Sequence, residues 1–449
     1  RLPIPRMNGL SHFRPRADWF SASNLFAAGL FCLFVGIGGG AKPVAVGQVF
    51  VFLAIAKAFF ERGRETLSWR SLPPSAWSLV VFVLISAISV FANWSVIAAP
   101  FEHLGKLRYL AVVPVLLAMP WLMRGLLPMP WRRDSLVLAW IVPLACAISI
   151  GLYAFATGSH PLRGGDLVDI RRVSGLYGQV MTFAYSLQFS VVALAAFFLV
   201  PRAWKAMTRV PWWIAVVMLL LGVVALYFTY TRGAMLGAVA GVAVLAMRRS
   251  WKLGALVAMI CIAGVAFLAL KASREGGEKH DRGPRYLQTD SDIRLGQWRA
   301  ASLSFLERPV LGWGYRNFEL QSAALKERYG FEKDIVRKRG QPRQVTYFQG
   351  HAHNNILESF ASMGVVGGLA FLAFVLFWLR EAWRSRYGLF LAPPVIAFLV
   401  SGMFENTFFD SEVLNCLILL YLITQWVREE EGEGRLTAPE PVLPPESSE

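Results

Sequence analysis

The stretch Pro211–Met247, PWWIAVVMLLLGVVALYFTYTRGAMLGAVAGVAVLAM, holds two long apolar runs that are interrupted only by the polar turn Thr229–Gly233. A run of about 20 mostly apolar residues is long enough to cross the hydrocarbon core of a bilayer as a helix. Glycines recur every fourth residue in the second run, a spacing that lets two membrane helices approach closely. The stretch predicts two adjacent membrane helices, 211–230 and 232–247, joined by a turn that carries Arg232.

The rest of the chain has the same character. Of its 449 residues 55% are hydrophobic, with 16 Trp and 32 Phe, values typical of a membrane protein. We expect an all-α integral membrane protein with about twelve transmembrane helices and one long, partly helical loop. The predicted spans are 22–39, 44–60, 76–95, 104–123, 135–157, 176–200, 211–230, 232–247, 253–270, 354–379, 388–405 and 411–427.

The distribution of Lys and Arg predicts the orientation, because short loops rich in these residues stay in the cytoplasm. With twelve spans, most of the basic short loops fall on one face together with the N-terminal segment. The long loop 271–353 then lies on the opposite, periplasmic face. The predicted division is a cytoplasmic segment 1–21, spans over 22–270, the loop 271–353, spans over 354–427 and a disordered cytoplasmic tail 428–449.

The formal net charge of +16 raises the question of an anionic partner. Most of this charge flanks the predicted spans on the cytoplasmic side, and no soluble segment has a basic stripe with interleaved aromatic residues. We therefore expect membrane lipids but no nucleic acid as partners. The four cysteines fall singly in different predicted spans, which argues against a disulfide framework or a cysteine-based zinc site.

Several basic side chains lie at span ends on the predicted periplasmic face: Arg171, Arg172, Arg232, Arg294 and His353. A guanidinium at membrane-surface depth is costly unless it pairs with an anion, although snorkelling to water is the alternative. His353 precedes Asn354 and Asn355, either of which could cap the next helix. The helix N-terminus favours a neutral imidazole that can accept a proton, and it attracts phosphate oxygens. A purely structural His353 remains the alternative.

Two patterns raise the question of a metal. His351-Ala352-His353 supplies two imidazoles but no third ligand, and the pair Asp290 and Asp292 opens a helical pattern in which acidic residues are simply good first-turn partners. We therefore expect no metal and no other cofactor.

The residues expected to support the site are His351, Asn354, Glu358 and Arg316.

Three motifs between about 215 and 425 resemble the O-antigen ligase family. Thr229-Tyr230-Thr231-Arg232-Gly233 is similar to its TxSRG element, with Tyr230 where a serine or threonine is more usual. Asp292-Ile293-Arg294, Trp298 and the run Arg308 to Phe318 are similar to its R…W…P…GxGxxNF pattern. His353-Asn354-Asn355-Ile356-Leu357, with Gly364 and Gly367 downstream, is similar to HNxxL…GxxG.

The resemblance implies a glycosyltransferase of GT-C-like architecture in the bacterial inner membrane. Such an enzyme transfers O-antigen polysaccharide from undecaprenyl pyrophosphate to lipid A-core, without metal and with inversion. His353 would be the base, and Arg232 and Arg294, with Arg171 and Arg172 as weaker candidates, would bind the pyrophosphate. An O-antigen polymerase or protein O-oligosaccharyltransferase of the same superfamily is the alternative. A small-anion transporter fits less well, since the spans carry almost no charge at mid-membrane depth.

Overall fold

The computed structural model describes residues 20–62, 67–124, 130–162, 172–257, 286–336 and 344–437, together with 259 and 263. Fifteen helices are bounded in this part of the chain, and most are apolar over much of their length. They are α1 Ala22–Gly39, α2 Ala41–Arg62, α3 Pro74–Ala92, α4 Pro100–Leu117, α5 Pro120–Arg124, α6 Pro130–Thr157, α7 Val180–Leu199, α8 Pro201–Met207, α9 Trp212–Phe228, α10 Arg232–Arg249, α11 Tyr286–Glu307, α12 Phe318–Arg328, α13 Asn355–Arg384, α14 Gly388–Ser401 and α15 Ser411–Thr437.

Six helices of the described residues are long and apolar enough to cross a membrane: α1, α2, α3, α6, α7 and α13. Helices α9 and α14 are apolar but shorter. The chain is therefore a helical, multi-pass membrane protein, whereas the expected count of twelve spans is not established. Helix α4, for example, carries Glu102, Lys106 and Arg108 in its first half, so its apolar part is short.

Helix α10 packs against α7 and α14 through the glycines that the sequence singled out. A Cβ at Gly237 would lie 2.6 Å from both the Ala397 carbonyl oxygen and Gln188 Oε1. A Cβ at Gly241 would lie 2.9 Å from the Pro393 carbonyl oxygen. These separations are too short for any side chain, so the predicted close approach of membrane helices is confirmed.

The loop before α13 is partly helical, as expected. Helices α11 and α12 form a small core with the start of α13, in which Trp313 and Phe318 are buried. Two short antiparallel strands, β1 Asp334–Val336 and β2 Gln344–Thr346, precede His351. This unit is anchored to α13, because the amides of Trp313 and Gly314 donate to carbonyls of Ala361 and Ser362.

The final helix corrects the predicted disordered tail, since α15 continues beyond residue 427 to Thr437. Its extension is held by polar contacts to the end of α13. Glu431 accepts hydrogen bonds from the Ser385 hydroxyl (2.7 Å) and the Arg386 amide (2.9 Å). These contacts give the polar end of the helix a partner that its composition alone does not reveal.

Several sequence predictions lie outside the described residues. They are the N-terminal segment up to residue 19, Arg171 with residues 163–170 of the same loop, most of the 253–270 span, loop residues 271–285 and the tail after 437. The side chains of Asp290 and Asp292 also lie outside the description.

Candidate functional site

The start of α13 is organised by two adjacent asparagines with different roles. Asn354 is the N-cap, and its side-chain oxygen accepts from the amides of Ile356 (2.9 Å) and Leu357 (3.1 Å). One of the two capping alternatives left open by the sequence is thereby decided. His353, just before the cap, has a φ of 49°, a conformation uncommon for a non-glycine residue. Its ring is thus aimed by a backbone turn that the cap holds in place.

Asn355 fastens the loop after α14 to the start of α13. Its backbone amide donates to the Gly402 carbonyl oxygen at 2.7 Å, and its side-chain oxygen accepts from the Phe408 backbone amide at 3.0 Å. A Cβ at Gly402 would lie 2.2 Å from the Asn355 side-chain nitrogen, so only glycine allows this approach. Because the loop is pinned at both ends, Glu405 is held over the two histidines.

Glu405 is the centre of the site. Its Oε1 lies 2.6 Å from His351 Nε2 and 2.8 Å from His353 Nδ1, and the two imidazole rings are 4.2 Å apart. Arg294 Nη2 lies 4.0 Å from Glu405 Oε2. Three sequence-predicted site residues, His351, His353 and Arg294, are therefore brought together by a carboxylate that the sequence analysis did not nominate.

The charges of the cluster follow from these contacts. Burial alone would raise the pKa of Glu405, but hydrogen bonds from both histidines and their positive charge hold it well below its usual range. Burial lowers the pKa of His351, yet the carboxylates of Glu319 and Glu405 outweigh it and raise this pKa to about 10. At neutral pH, Glu405 is an anion and His351 a cation.

The ionised state of Glu405 decides the tautomer of His353. A carboxylate can only accept hydrogen bonds, so the proton of the contact lies on Nδ1 of His353. In the neutral ring this leaves Nε2 with a free lone pair. The arrangement can therefore orient an imidazole as a proton acceptor.

Glu358 supports the turn that presents the histidines. It is buried one turn into α13, where its carboxylate accepts from the Ala352 amide (2.8 Å) and the Ser362 hydroxyl (3.1 Å). The bond to Ala352 fixes the backbone between His351 and His353. Glu358 was predicted to belong to the same site, and in the structure it contacts the backbone that carries the histidines.

The two arginines near α10 occupy different positions. Arg172 donates from Nε to the Thr229 carbonyl oxygen (2.7 Å) and from Nη2 to the Thr231 hydroxyl (3.1 Å), so it braces the turn before α10. Arg232 is the first residue of α10, and its side chain is exposed. The turn stays close to the cluster through Gly233, which packs against Phe404, the neighbour of Glu405.

Tyr185 lies beneath the cluster, where a Cβ at Gly233 would be only 2.3 Å from its hydroxyl. The ring is buried, and within the part of the chain that the structure describes this hydroxyl has no hydrogen-bond partner. It lies within electrostatic reach of Glu405, Arg294 and Arg172. Glu405 Oε2 is likewise without a hydrogen bond among those residues. A buried donor and a buried acceptor are thus both available beside the histidines.

Arg316 lies outside the cluster but is connected to it. Its guanidinium donates to the Phe409 carbonyl oxygen, and its φ is 60°. Glu319, in the first turn of α12, lies 3.9 Å from His351 Nδ1. The pKa of Glu319 is lowered by His351 and, more weakly, by Arg316 and Lys106. A chain of charges thus runs from the histidines to Arg316.

The third metal ligand that the sequence lacked is supplied by the fold. His351, His353 and Glu405 offer ligand atoms within 4.8 Å of one another and could hold a metal ion. In the present arrangement, however, both nitrogens lie at hydrogen-bonding distance from one oxygen, closer than the roughly 3.3 Å between ligands around a tetrahedral zinc. The expectation of a metal-free site stays a prediction.

Glu405, Glu319 and Tyr185 were missed because each lies in a different part of the chain from the motifs. One signal was present: Glu405 is an acidic residue in a short turn on the predicted periplasmic face, between two predicted spans. Ionisable groups at such depths usually have a partner. That signal alone, however, does not identify His351 and His353 as the partners.

Comparison with known proteins adds a family to this geometry. No curated protein matches the chain. Residues 216–372 match the family model described as O-Antigen ligase, a region that includes Arg232, Arg294, His351 and His353 but neither Arg172 nor Glu405. Over this region, about a third of its length, the chain is similar to the O-antigen ligase family.

Proposed function

We propose that the protein is an O-antigen ligase. It moves O-antigen polysaccharide from undecaprenyl pyrophosphate to a sugar hydroxyl of lipid A-core, at the periplasmic face of the bacterial inner membrane. The family match supports a membrane enzyme of the glycosyltransferase-like superfamily. The observation that carries the proposal is the contact of His353 Nδ1 with Glu405 Oε1, which leaves Nε2 to accept a proton.

In the proposed reaction, the oxygen of the acceptor hydroxyl attacks the anomeric carbon of the donor sugar. The new carbon–oxygen bond forms as the bond from that carbon to the pyrophosphate breaks, and the bonding electrons leave with undecaprenyl pyrophosphate. His353 Nε2 takes the hydroxyl proton. Glu405 stabilises the resulting imidazolium through Nδ1. Direct displacement inverts the anomeric configuration.

The leaving pyrophosphate is an anion with two phosphate groups, so positively charged side chains are needed to stabilise it. Arg294 is near the histidines, and Arg232 stands at the N-terminus of α10, where the helix dipole also favours an anion. A guanidinium group can donate two parallel hydrogen bonds to the oxygens of one phosphate. Removing one preorganised hydrogen-bond donor raises the activation free energy by about 2.7–4 kcal/mol. Arg172 acts on the same site by bracing the turn before Arg232.

The proposal includes the twelve-span topology, with the cluster on the periplasmic side. Exposed serines on the two sides of α10 test it. In a cysteine-free variant, Ser302→Cys in α11 should react with a membrane-impermeant maleimide in cells whose outer membrane is permeabilised. Ser250→Cys, at the other end of α10, should react only after the inner membrane is opened. The reverse pattern would contradict the orientation.

The experiment that tests the function is transfer by purified protein in detergent with chelator present. The substrates are undecaprenyl-pyrophosphate polysaccharide and lipid A-core. Lipid A-core should acquire a ladder of polysaccharide, and His353→Ala should abolish it. His160→Ala is the matched control, because His160 is a buried histidine in the loop after α6 whose ring is hydrogen-bonded to the Gly175 carbonyl rather than to Glu405.

Other results identify the alternatives. A longer carrier-linked glycan with unmodified lipid A-core would indicate an O-antigen polymerase. Transfer to protein serine or threonine would indicate a protein O-oligosaccharyltransferase. An intact donor under all conditions would leave anion transport as the hypothesis to pursue.

A further inference from the structure

An open groove of about 880 Å³ lies beside the histidine cluster. It forms where the first turns of α4 and α7, the Tyr315-Arg316 turn and the start of α15 meet. The cluster itself does not line it. The mechanism proposed above does not use this groove, and its size is in the range of sites that hold small organic ligands.

The groove is lined by three cations, Lys106, Arg108 and Arg316, and by three carboxylates, Glu102, Asp410 and Glu412. Asp410 is occupied by the Thr182 hydroxyl (2.7 Å) and by the amides of Glu412 and Val413 (3.1 Å each). Lys106, by contrast, has neither a hydrogen bond nor an ion pair to any residue that the structure describes. A half-buried ammonium that lines an open groove is a ready contact for phosphate or carboxylate.

Two further cations and four aromatic residues also line the groove. Arg316 reaches the groove from one side. Arg108 is held at the opposite rim by the Gly105 carbonyl oxygen (2.7 Å) and the Tyr109 hydroxyl (2.9 Å). Phe101 is 76% exposed, an unusual position for a large apolar ring unless it meets lipid or a ligand. The lining thus combines cations that can bind phosphate, carboxylates that can accept from sugar hydroxyls, and aromatic rings.

The groove continues into the membrane region. A narrow apolar cleft shares Arg108 and Tyr109 with it and runs on between α1, α2, α4 and α15. Leu33, Val112 and Leu422 line this cleft, and its outer wall includes Phe52, whose side chain is 42% exposed on α2. The accessible volume of this cleft is about 20 Å³, enough for a water molecule but not for an acyl chain, so a chain that follows the groove would lie on the bilayer side of α2.

The other end of the groove leads to the candidate base. Arg316 lines the groove and lies within electrostatic reach of Glu319. Glu319 in turn lies 3.9 Å from His351, whose ring is 4.2 Å from that of His353. A headgroup in the groove would therefore be next to the histidines, while its acyl chains would lie on the bilayer side.

From this arrangement we propose that the groove is the acceptor site, and that it binds a glycolipid whose headgroup sugars carry phosphate or carboxylate groups. Lys106, Arg108 and Arg316 contact the anionic groups, Glu102 and Glu412 accept hydrogen bonds from sugar hydroxyls, and the acyl chains lie in the bilayer beside α2. The inference rests on the proposed function, because the ligase reaction supplies the reason for a second lipid-linked glycan. It adds the place and the chemistry of acceptor recognition.

A large side chain at position 178 would fill the groove and thereby test the assignment. It lines the groove, and a Cβ built on it meets no atom within 4 Å. Gly178→Trp should raise the KM for lipid A-core at least tenfold, with the KM for the donor and the melting temperature unchanged. Ser302→Trp, at an exposed position of α11 outside the groove lining, is the matched control and should behave like the wild type. Lys106→Gln should raise the acceptor KM in the same selective way.

A binding measurement separates this inference from the proposed function. A photoreactive benzoylphenylalanine replaces Gly178 in the full chain, in nanodiscs that contain both phospholipid and lipid A-core. Crosslinking to lipid A-core, reduced by excess unlabelled lipid A-core but not by inorganic phosphate, is the expected result. Crosslinks only to phospholipid or to the undecaprenyl-linked donor would overturn the assignment.

Failure of the groove assignment and failure of the proposed function give different experimental results. If lipid A-core crosslinks but the wild type transfers no glycan to it, the groove stands and the proposed function falls. If the wild type transfers glycan but Gly178→Trp and Lys106→Gln keep the wild-type acceptor KM, the proposed function stands and the groove assignment falls.

Discussion

Glu405→Gln tests whether the carboxylate at the centre of the site orients the base. The substitution keeps the size of the side chain and removes its charge. Glu405 Oε1 accepts from His351, His353 and the Asn406 amide. A hydrogen bond to a charged group contributes about 1.5–3 kcal/mol, against about 0.5–1.5 kcal/mol for a neutral one. For the two imidazole contacts together, the loss is roughly 2–3 kcal/mol.

If this loss appears in the transition state, kcat should fall roughly 30- to 150-fold, since 1.36 kcal/mol corresponds to a factor of ten. The assay is the rate of glycan transfer to lipid A-core at saturating substrates. Glu381→Gln is the matched control. Glu381 is similarly buried and accepts bonds from Ser75 and Gln425, but it lies at the other end of α13. It should lose stability and keep the wild-type kcat per folded molecule.

The pH dependence of stability gives a second readout. The pKa of His351 is raised to about 10 in the folded protein, so its stabilising contribution is complete below its ordinary value near 6.5 and is lost as pH rises through 10. The wild type should therefore lose melting temperature between pH 7 and 10. Glu405→Gln should lose less over this range, because one of the carboxylates that raise the pKa of His351 is gone. A wild-type kcat in Glu405→Gln, with His353→Ala inactive, would refute the orienting role.

Three other outcomes are expected. Arg294→Ala should lower the kcat/KM for the donor about 10²–10³-fold. Arg294→Lys should restore only part of this loss, because lysine cannot donate two parallel hydrogen bonds to one phosphate. Equal rates for the wild type and both variants would contradict phosphate binding by Arg294. Gly237→Val should lower stability by about 1–3 kcal/mol, since its side chain would collide with Ala397 and Gln188, and an unchanged melting temperature would contradict that packing. Chelator should leave transfer unchanged, and activity lost with chelator but restored by a divalent ion would show that the histidine cluster uses a metal.

Local sequence was sufficient for the features that depend on neighbouring residues. The apolar length of α1, α3 and α7 identified them as membrane helices, because transfer of a helix into lipid depends on its own composition. The cap before α13 was predictable for the same reason, since Asn354 bonds amides only two and three residues away. The glycine spacing of α10 likewise indicated close packing, although not its partners.

The number of spans and the end of the last helix were harder to predict from the sequence than the long apolar helices. The twelve-span count relied on α4, α9 and α14, which are short or carry charges, and their place in the membrane depends on packing against longer helices. The end of α15 was misjudged for a related reason. Its polar residues look disordered in isolation, but Glu431 is held by Ser385 and Arg386 at the end of α13.

The sequence by itself determined that the chain is a helical membrane protein, that an asparagine after His353 caps a helix, and that Arg232 begins one. These are local properties of hydrophobic length, capping and charge. Only the tertiary structure decided that Glu405 is the partner of His351 and His353, because the contact depends on Asn355 binding Gly402 across two helices. Likewise, the groove beside the site exists only where four separate segments meet. Hydrogen bonds between distant segments carry no periodic signal along the chain, and for that reason the chemistry of this site was visible only after folding.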